Sequence, residues 1–537
     1  MIIRVIGLVN NYKAFHPYHL LFLNISFLTI VTAFLIFGCG GGGGGGGGGS
    51  SLTPDTEAPS KPADVTAITV STSRINITWS ASTDNTGVSG YRIIQTAPLP
   101  EEELTTTPST ILSYNHINLS TNVYYCYNVS AFDAAGNESD RSSTTCTTTK
   151  LVATDASAGN QFGFSVAMHG DYAIIGAQVG DADGTVDTGA AYIYRRTASD
   201  TWDNGIKIVA DDADPFDRFG WSASIYGDFA IVGAQFDNEG DNNAGAAYIF
   251  QRTGPDNTWD NGTKIMSQNP DANDHFGISV AISNEFAVIG ATGDDDANTN
   301  SGAIYIFRNI NNTWTPVTKI LSPDAATDDF FGISVAISGN YVIAGATFAD
   351  TTQTDTGAAY IFEWTGTSWG TGTNITPSNL NNRDFFGTAV SIDDNYAIVG
   401  ARNNSDIEAT AGAAYIFQNT GSNTWSPGVK ITARTGDIDP GDNFGSSVAI
   451  SEEYAIVGAE SDDDQITNAG AAYVFRKTGS GNTWDSGTKI NASDFETDAL
   501  FGNAVAIEGS RAIVGSLLKD DGKSNSGAAY IFDVPPM

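Results

Sequence analysis

The sequence predicts an all-β protein, a small β-sandwich followed by a seven-bladed β-propeller closed by its N-terminal strand, and three observations carry that prediction. The pair Phe-Gly recurs at Phe162-Gly163, Phe219-Gly220, Phe276-Gly277, Phe331-Gly332, Phe386-Gly387, Phe444-Gly445 and Phe501-Gly502, at spacings of 55 to 58 residues. A fixed period of that length marks a repeated structural unit. Each copy reads as four short strands, a to d, as in 276–282, 286–291, 302–307 and the stretch holding Trp314 and Lys319-Ile320. In strand a, bulky Phe, Ile and Val alternate with Gly, Ser and Ala, so one face presents bulk and the other leaves room for it, as radially stacked sheets require. The third observation is an offset. A Lys-Ile type pair marks strand d at Lys207-Ile208, Lys264-Ile265, Lys319-Ile320, Asn374-Ile375, Lys430-Ile431 and Lys489-Ile490, but the first such pair, Lys150-Leu151, precedes every repeat and none follows Ile531-Phe532. Pairing the orphan first strand with the last repeat removes an open sheet edge.

Composition bounds the function. The 537 residues hold 61 Asp+Glu against 25 Lys+Arg, a formal net charge of −36, with 5 His and 3 Cys. A surface that tracks phosphates needs clustered cations, so nucleic acid is excluded as a partner.

Residues 1–39 read as an export signal. Residues 1–38 carry no acid and only Arg4 and Lys13 as fixed charges, ahead of an apolar run that ends in Ile36-Phe37-Gly38-Cys39. The ending resembles a bacterial lipobox, which implies lipid attachment at Cys39, anchorage to the outer membrane on its periplasmic or outer side, and display outside the cytoplasm. An uncleaved signal anchor is the alternative, since the run nearly suffices to span a bilayer. Residues 40–55, opening with ten glycines, form a flexible tether.

In residues 56–149 short alternating stretches at 75–79, 91–94 and 125–131 are separated by turn residues at Asp84-Asn85-Thr86-Gly87 and Gly136-Asn137. With Pro59, Pro62, Trp79, Tyr91, Leu119 and Tyr125, this segment resembles the fibronectin type III domain, with Tyr125 as the corner tyrosine. Cys126 and Cys146 lie on strands joined by one turn and form a candidate disulfide in an exported chain; two free thiols are the other reading.

The repeats over residues 150–537 resemble the FG-GAP repeat of integrin α propellers and their bacterial relatives. The second half of that motif is Gly-Ala here, as in Gly176-Ala177, and becomes Gly515-Ser516 in the last copy. The resemblance implies a propeller that binds a protein or glycan in adhesion. The calcium loop between strands a and b of such repeats does not carry over, because that connection is only His169-Gly170-Asp171 or its equivalent, too short to wrap an ion.

Antiparallel strands send the b–c and d–a connections to one end of every blade. Those connections hold 36 of the 61 acids, set against Arg218, Arg383, Arg402, Arg434, Lys519 and Lys523. Such an end attracts cations or a basic partner, or merely keeps an exported monomer soluble. Asp181, Asp183 and Asp187 form the candidate calcium loop, calcium being the one cofactor the pattern admits. The Asp ahead of most Phe-Gly pairs (Asp217, Asp274, Asp329, Asp384, Asp442) is expected to cap the turn into strand a. Trp202, Trp259, Trp314, Trp369, Trp425 and Trp484 share one repeat position, as packing anchors or as sugar platforms. No catalytic constellation can be assembled: His116, His169 and His275 fall in separate units, which sets an exported binding protein ahead of a polysaccharide enzyme or a purely structural envelope protein.

Overall fold

The computed structural model describes residues 55–534, apart from 72–73, 98–100, 120–124, 143–144, 182–185, 198–201 and the single residues 147, 352, 422, 452, 480 and 493. Cys39, the lipobox and the glycine tether lie outside the described residues.

The first unit pairs a three-stranded sheet (Thr66–Ser71, Arg74–Thr78, Ser113–Ile117) with a four-stranded one ordered Glu102–Pro108, Val88–Ala97, Cys126–Asp133, Thr145–Cys146. Alternation along Arg74–Thr78 turns Ile75 and Ile77 inward, where they meet Trp79, Tyr91, Ile93, Tyr127 and Val129 in one core. Cys126 is disulfide-bonded, and the residue directly across the ladder from it is Cys146.

The described residues from 148 onward fold into seven antiparallel sheets, one per repeat, that fit a β-propeller. In the third repeat, strands Val280–Ile282, Phe286–Ala291, Ala303–Ile310 and Thr313–Leu321 run in order across the sheet. Strand b is apolar and buried over almost all its length, as in Phe286–Ala291, because it has sheet on both faces. In the seventh repeat the strand beside Ala528–Asp533 is Thr148–Leu151, with Lys150 opposite Tyr530. That is the register Lys264 keeps with Tyr248.

The repeat motif acquires its meaning between sheets. Gly220, at φ +92°, sits against the first repeat so closely that a methyl group added at Gly176 would overlap the Gly220 carbonyl oxygen. The two halves of the motif therefore meet backbone to backbone across the seam, and only residues without a side chain fit. Ser165 Oγ donates to the Gly220 carbonyl (3.0 Å), Ser222 to Gly277 (2.8 Å), Ser279 to Gly332 (2.7 Å) and Ser447 to Gly502 (2.8 Å). In the seventh repeat Asn503 Nδ2 makes the same bond to Gly163 of the first, at 3.0 Å.

Two readings of strand a and strand d need correction. The alternation of strand a breaks just after Phe-Gly, where the register shifts, as between Phe331 and Val335 opposite Ala346 and Ala344. The left-handed Gly277 and Gly332 turn Ile278 and Ile333 away from the bulky face, and both line a pocket among the loops instead. In the second and fifth repeats strand d is split in two, Thr258–Trp259 with Thr263–Ile265 and Thr424–Trp425 with Val429–Ile431. The tryptophans are packing anchors. Trp259, Trp314, Trp369, Trp425 and Trp484 each stand edge-on to the aromatic residue that opens strand b of the preceding repeat, Tyr172, Phe229, Phe286, Tyr341 and Tyr396 respectively.

Candidate functional site

Each d–a connection ends in one backbone pattern. In the third repeat Asn273 and His275 both have positive φ (66° and 56°), and Asp274 between them is buried. Asp274 Oδ2 accepts the backbone N–H of Asp271 at 3.0 Å, and Asp217, Asp329, Asp384 and Asp442 do the same for the residue three positions earlier. The capping expectation is met. The aspartate turns inward as a cap, between two neighbours in left-handed conformations. Burial pushes the carboxyls of Asp217 and Asp442 up to about 7 and that of Asp274 up to about 6, helped by nearby acids.

The residue just before Phe-Gly is left-handed in all seven repeats, and it is Gln161, Arg218, His275, Phe330, Phe385, Asn443 or Leu500. Left-handed backbone costs most L-residues roughly 1–2 kcal/mol and is comfortable for Asn, Asp and Gly. Aromatic residues gather beside several of these positions. Phe236 packs edge-on to Trp221 and His275, and Phe348 to Phe330 and Phe385. Arg218 and Arg402 stack on Phe236 and Phe385.

The acidic end is less bare than the sequence reading had it, because the strand-d lysines reach it. Lys264 Nζ lies 2.7 Å from Asp212 of the d–a connection, and 2.8 and 2.7 Å from Asp237 and Glu239 of the b–c connection. Its ammonium sits over the Tyr248 ring at 5.5 Å. The Tyr248 hydroxyl lies 2.8 Å from Asp212 and 2.9 Å from Asp237, so both kinds of connection converge at one end. Burial opposes the Lys264 charge, but the three carboxylates more than offset it and hold the ammonium above its ordinary range. Lys207, Lys319, Lys430 and Lys489 occupy the same slot in their repeats, and Lys150 fills it in the seventh, 2.9 Å from Asp494 and 2.8 Å from Asp521. In the fourth repeat Asn374 stands opposite Tyr360 where the others have lysine. In the sequence the Lys-Ile pairs mark only the place of strand d in the sheet; the reach of their lysines to the connections is set by the fold.

The FG-GAP repeat family matches residues 147–194, 202–250, 259–307, 314–362, 369–417, 425–475 and 484–532. The chain belongs to the FG-GAP repeat family. Each matched unit begins at strand d and ends with strand c, so the family repeat straddles two sheets, and the first begins just ahead of Thr148–Leu151. This FG-GAP repeat protein also resembles an alpha-amylase of Niallia circulans (42% identical over 96 residues), an exoglucanase B of Cellulomonas fimi (39% over 106) and a chitinase, Chi52, of Paenibacillus xylanexedens (39% over 97). These alignments take in 18%, 20% and 18% of this chain and only 7%, 9% and 17% of the relatives. A crystal structure named FN3tt is 22% identical over 17% of this chain and 94% of its own, with a TM-score of 0.15.

Of the candidate calcium loop, Asp183 lies outside the described residues. Asp181 Oδ1 accepts the backbone N–H of Asp187 at 3.0 Å, and Asp187 is left-handed (φ 54°), so these two serve the turn itself. Among the described residues one trio of carboxylates has ligand oxygens within 4.8 Å of one another, Asp55, Asp84 and Asp133 in the first unit. Sequence reading passed over it because the three are 29 and 49 positions apart.

Proposed function

We propose that this FG-GAP repeat protein is an exported binding protein, lipid-anchored at Cys39, in which a fibronectin type III domain spaces a closed seven-bladed propeller from the membrane and the loop end of the propeller contacts a protein or glycan partner. The observation that carries this reading is where the repeats agree and where they differ. Seam glycines, serine latches and capping aspartates recur from repeat to repeat, while the residue before Phe-Gly changes chemistry in almost every one. A scaffold that holds its frame constant and varies one ring of side chains is built to present a surface. Even with the strand-d lysines counted, the loop end keeps a large excess of carboxylates. It also exposes Val186, Phe216, Ile407 and Phe495, apolar contact points within an acidic field.

Pairing of Thr148–Leu151 with the last repeat supports closure of the ring. The two-sheet arrangement around Trp79 and Tyr91 supports the fibronectin type III reading of residues 56–149. The stretches shared with the amylase, exoglucanase and chitinase are about as long as that segment and a small part of each enzyme, as an accessory module would be.

Recognition through the acidic end predicts saturable, salt-sensitive association of the full chain with poly-L-lysine and none with poly-L-glutamate. Equal response to both overturns it, and release of reducing ends from starch, cellulose or chitin would establish an enzyme instead. Calorimetric titration with calcium, with melting followed with and without chelator, decides the part of the metal. Saturable heat with a raised melting temperature makes recognition calcium-assisted, and no heat removes calcium from it.

A further inference from the structure

The geometry points to a binding site for a neutral sugar ring of a glycan in the pocket formed by the connections of the second, third and fourth repeats. The pocket holds about 370 Å³, within the range of small-ligand sites. Its apolar wall is Phe236, Ile278, Phe330, Ile333 and Phe348, and its polar groups are Gln235, Asn273, His275, Thr292 and Asn300.

The first argument is the absence of charge. The pocket is made from the same connections that concentrate the chain's acids, yet no carboxylate, lysine or arginine lines it. Burial lowers the pKa of His275, so its imidazole is neutral as well.

The second argument is that two amides are held in place. Asn273 Oδ1 accepts from Asn243 Nδ2 at 3.0 Å, and Asn300 Nδ2 donates to Asp328 Oδ1 at 2.7 Å. Each amide is thereby oriented, leaving Asn273 Nδ2 as a donor and Asn300 Oδ1 as an acceptor without a protein partner among the described residues.

The third is backbone cost. His275 and Phe330 are left-handed (φ 56° and 55°), whereas the sixth repeat meets the same demand with Asn443, a residue that suits it. Side chains kept at a backbone cost of roughly 1–2 kcal/mol each, both facing one pocket, indicate use of the side chains themselves.

These features select among ligands. An ammonium group would shed its hydration for a wall without a carboxylate, and an anion would enter against the field of the surrounding acids. A wholly apolar group would bury the Asn273 and Asn300 amides unsatisfied. A neutral pyranose has C–H faces for the aromatic and aliphatic wall and hydroxyls that both donate and accept for the two amides.

This inference rests on the reading of the propeller as a binding module and narrows its partner to a glycan. It is tested on the full chain by saturation-transfer NMR and calorimetry with glucose, galactose, mannose, N-acetylglucosamine and their disaccharides, with glucuronic acid and glucosamine as charged controls. Saturable binding of at least one neutral sugar is expected, with the charged ones at least about tenfold weaker. Phe330→Asn and His275→Asn suit the left-handed backbone, which offsets the edge contacts they give up with Phe348 and Phe236, so both variants should remain folded while binding falls about tenfold. No binding by any neutral sugar, equal binding of the charged ones, or unchanged affinity in both variants overturns the assignment. Association with poly-L-lysine reports on the acidic end separately, so its survival when sugar binding fails rejects the pocket and leaves the binding propeller standing.

Discussion

Two of the left-handed positions that recur in this propeller are filled by different rules. In the b–c connections the left-handed residue two positions ahead of glycine is Asp187, Asn243, Asn300, Asp355, Asn468 or Asn525 in six repeats, with Thr410 in the other. In the d–a connections the left-handed residue ahead of Phe-Gly is asparagine once and otherwise Gln, Arg, His, Phe, Phe or Leu. The backbone demand is the same at both. One set follows local conformational preference, as a frame does, and the other overrides it, as a surface kept for its side chains does.

The frame should break hardest at the seam. A methyl group at Gly345 would overlap the carbonyl oxygen of Gly387 in the next repeat, backbone against backbone with nothing flexible to yield. Gly345→Ala is expected to destabilise by about 4 kcal/mol or more, read as a lower denaturant midpoint in equilibrium unfolding.

Next is the lysine slot. Lys264→Met leaves Asp237, whose side chain is 3% exposed, beside Asp212 without its cation, an expected loss of about 3 kcal/mol in the same measurement. The lysine-free fourth repeat supplies the converse: Asn374→Lys should gain up to about 1 kcal/mol.

The capping aspartates give a pH signature. Asp217, Asp274 and Asp442 bind protons more tightly folded than unfolded, with carboxyls near 7, 6 and 7 against 3.8. Their contribution is complete below about pH 4 and is lost as pH rises to about 7. Asp155, Asp212, Asp406 and Asp494 are shifted downward and lose their contribution only as pH falls below the ordinary carboxyl range. Melting temperature should therefore rise on acidification from pH 7 to pH 5, and Asp217→Asn should flatten part of that rise.

The smallest effects test the comparison itself. Asn525→Leu places a surface-type residue in the frame set and should cost about 1 kcal/mol. Leu500→Asn makes the reverse exchange and should gain about the same, by chemical unfolding.

Much of this was legible in the sequence because repetition writes it many times. The period of Phe-Gly located the repeats, the lone Lys150-Leu151 pair pointed to the strand now seen beside Ala528–Asp533, and the aspartates ahead of Phe-Gly were read as caps. What stayed hidden depended on distances between segments far apart in the sequence. That the Gly-Ala and Phe-Gly halves of the motif meet each other across two sheets, and that Lys264 of strand d reaches Asp212 and Asp237 on the connections of its own sheet, are facts of segments brought together only in space. Ile278 was misplaced because one left-handed glycine resets the alternation behind it. The ring ahead of Phe-Gly had a readable trace, a column of unlike residues beside an unchanging pair, but only its conformation shows what that variety costs.

The pairing of Thr148–Leu151 with Ala528–Asp533 also dictates an order of events in the cell. The first of these strands leaves the ribosome, and crosses any membrane on the way, about 380 residues ahead of its partner. Six sheets can assemble from neighbouring sequence as the chain emerges, but the seventh waits for Ala528–Asp533. A chain clipped ahead of Ala528–Asp533 therefore leaves Thr148–Leu151 as a mateless strand, and synthesis of Ala528–Asp533 supplies its partner.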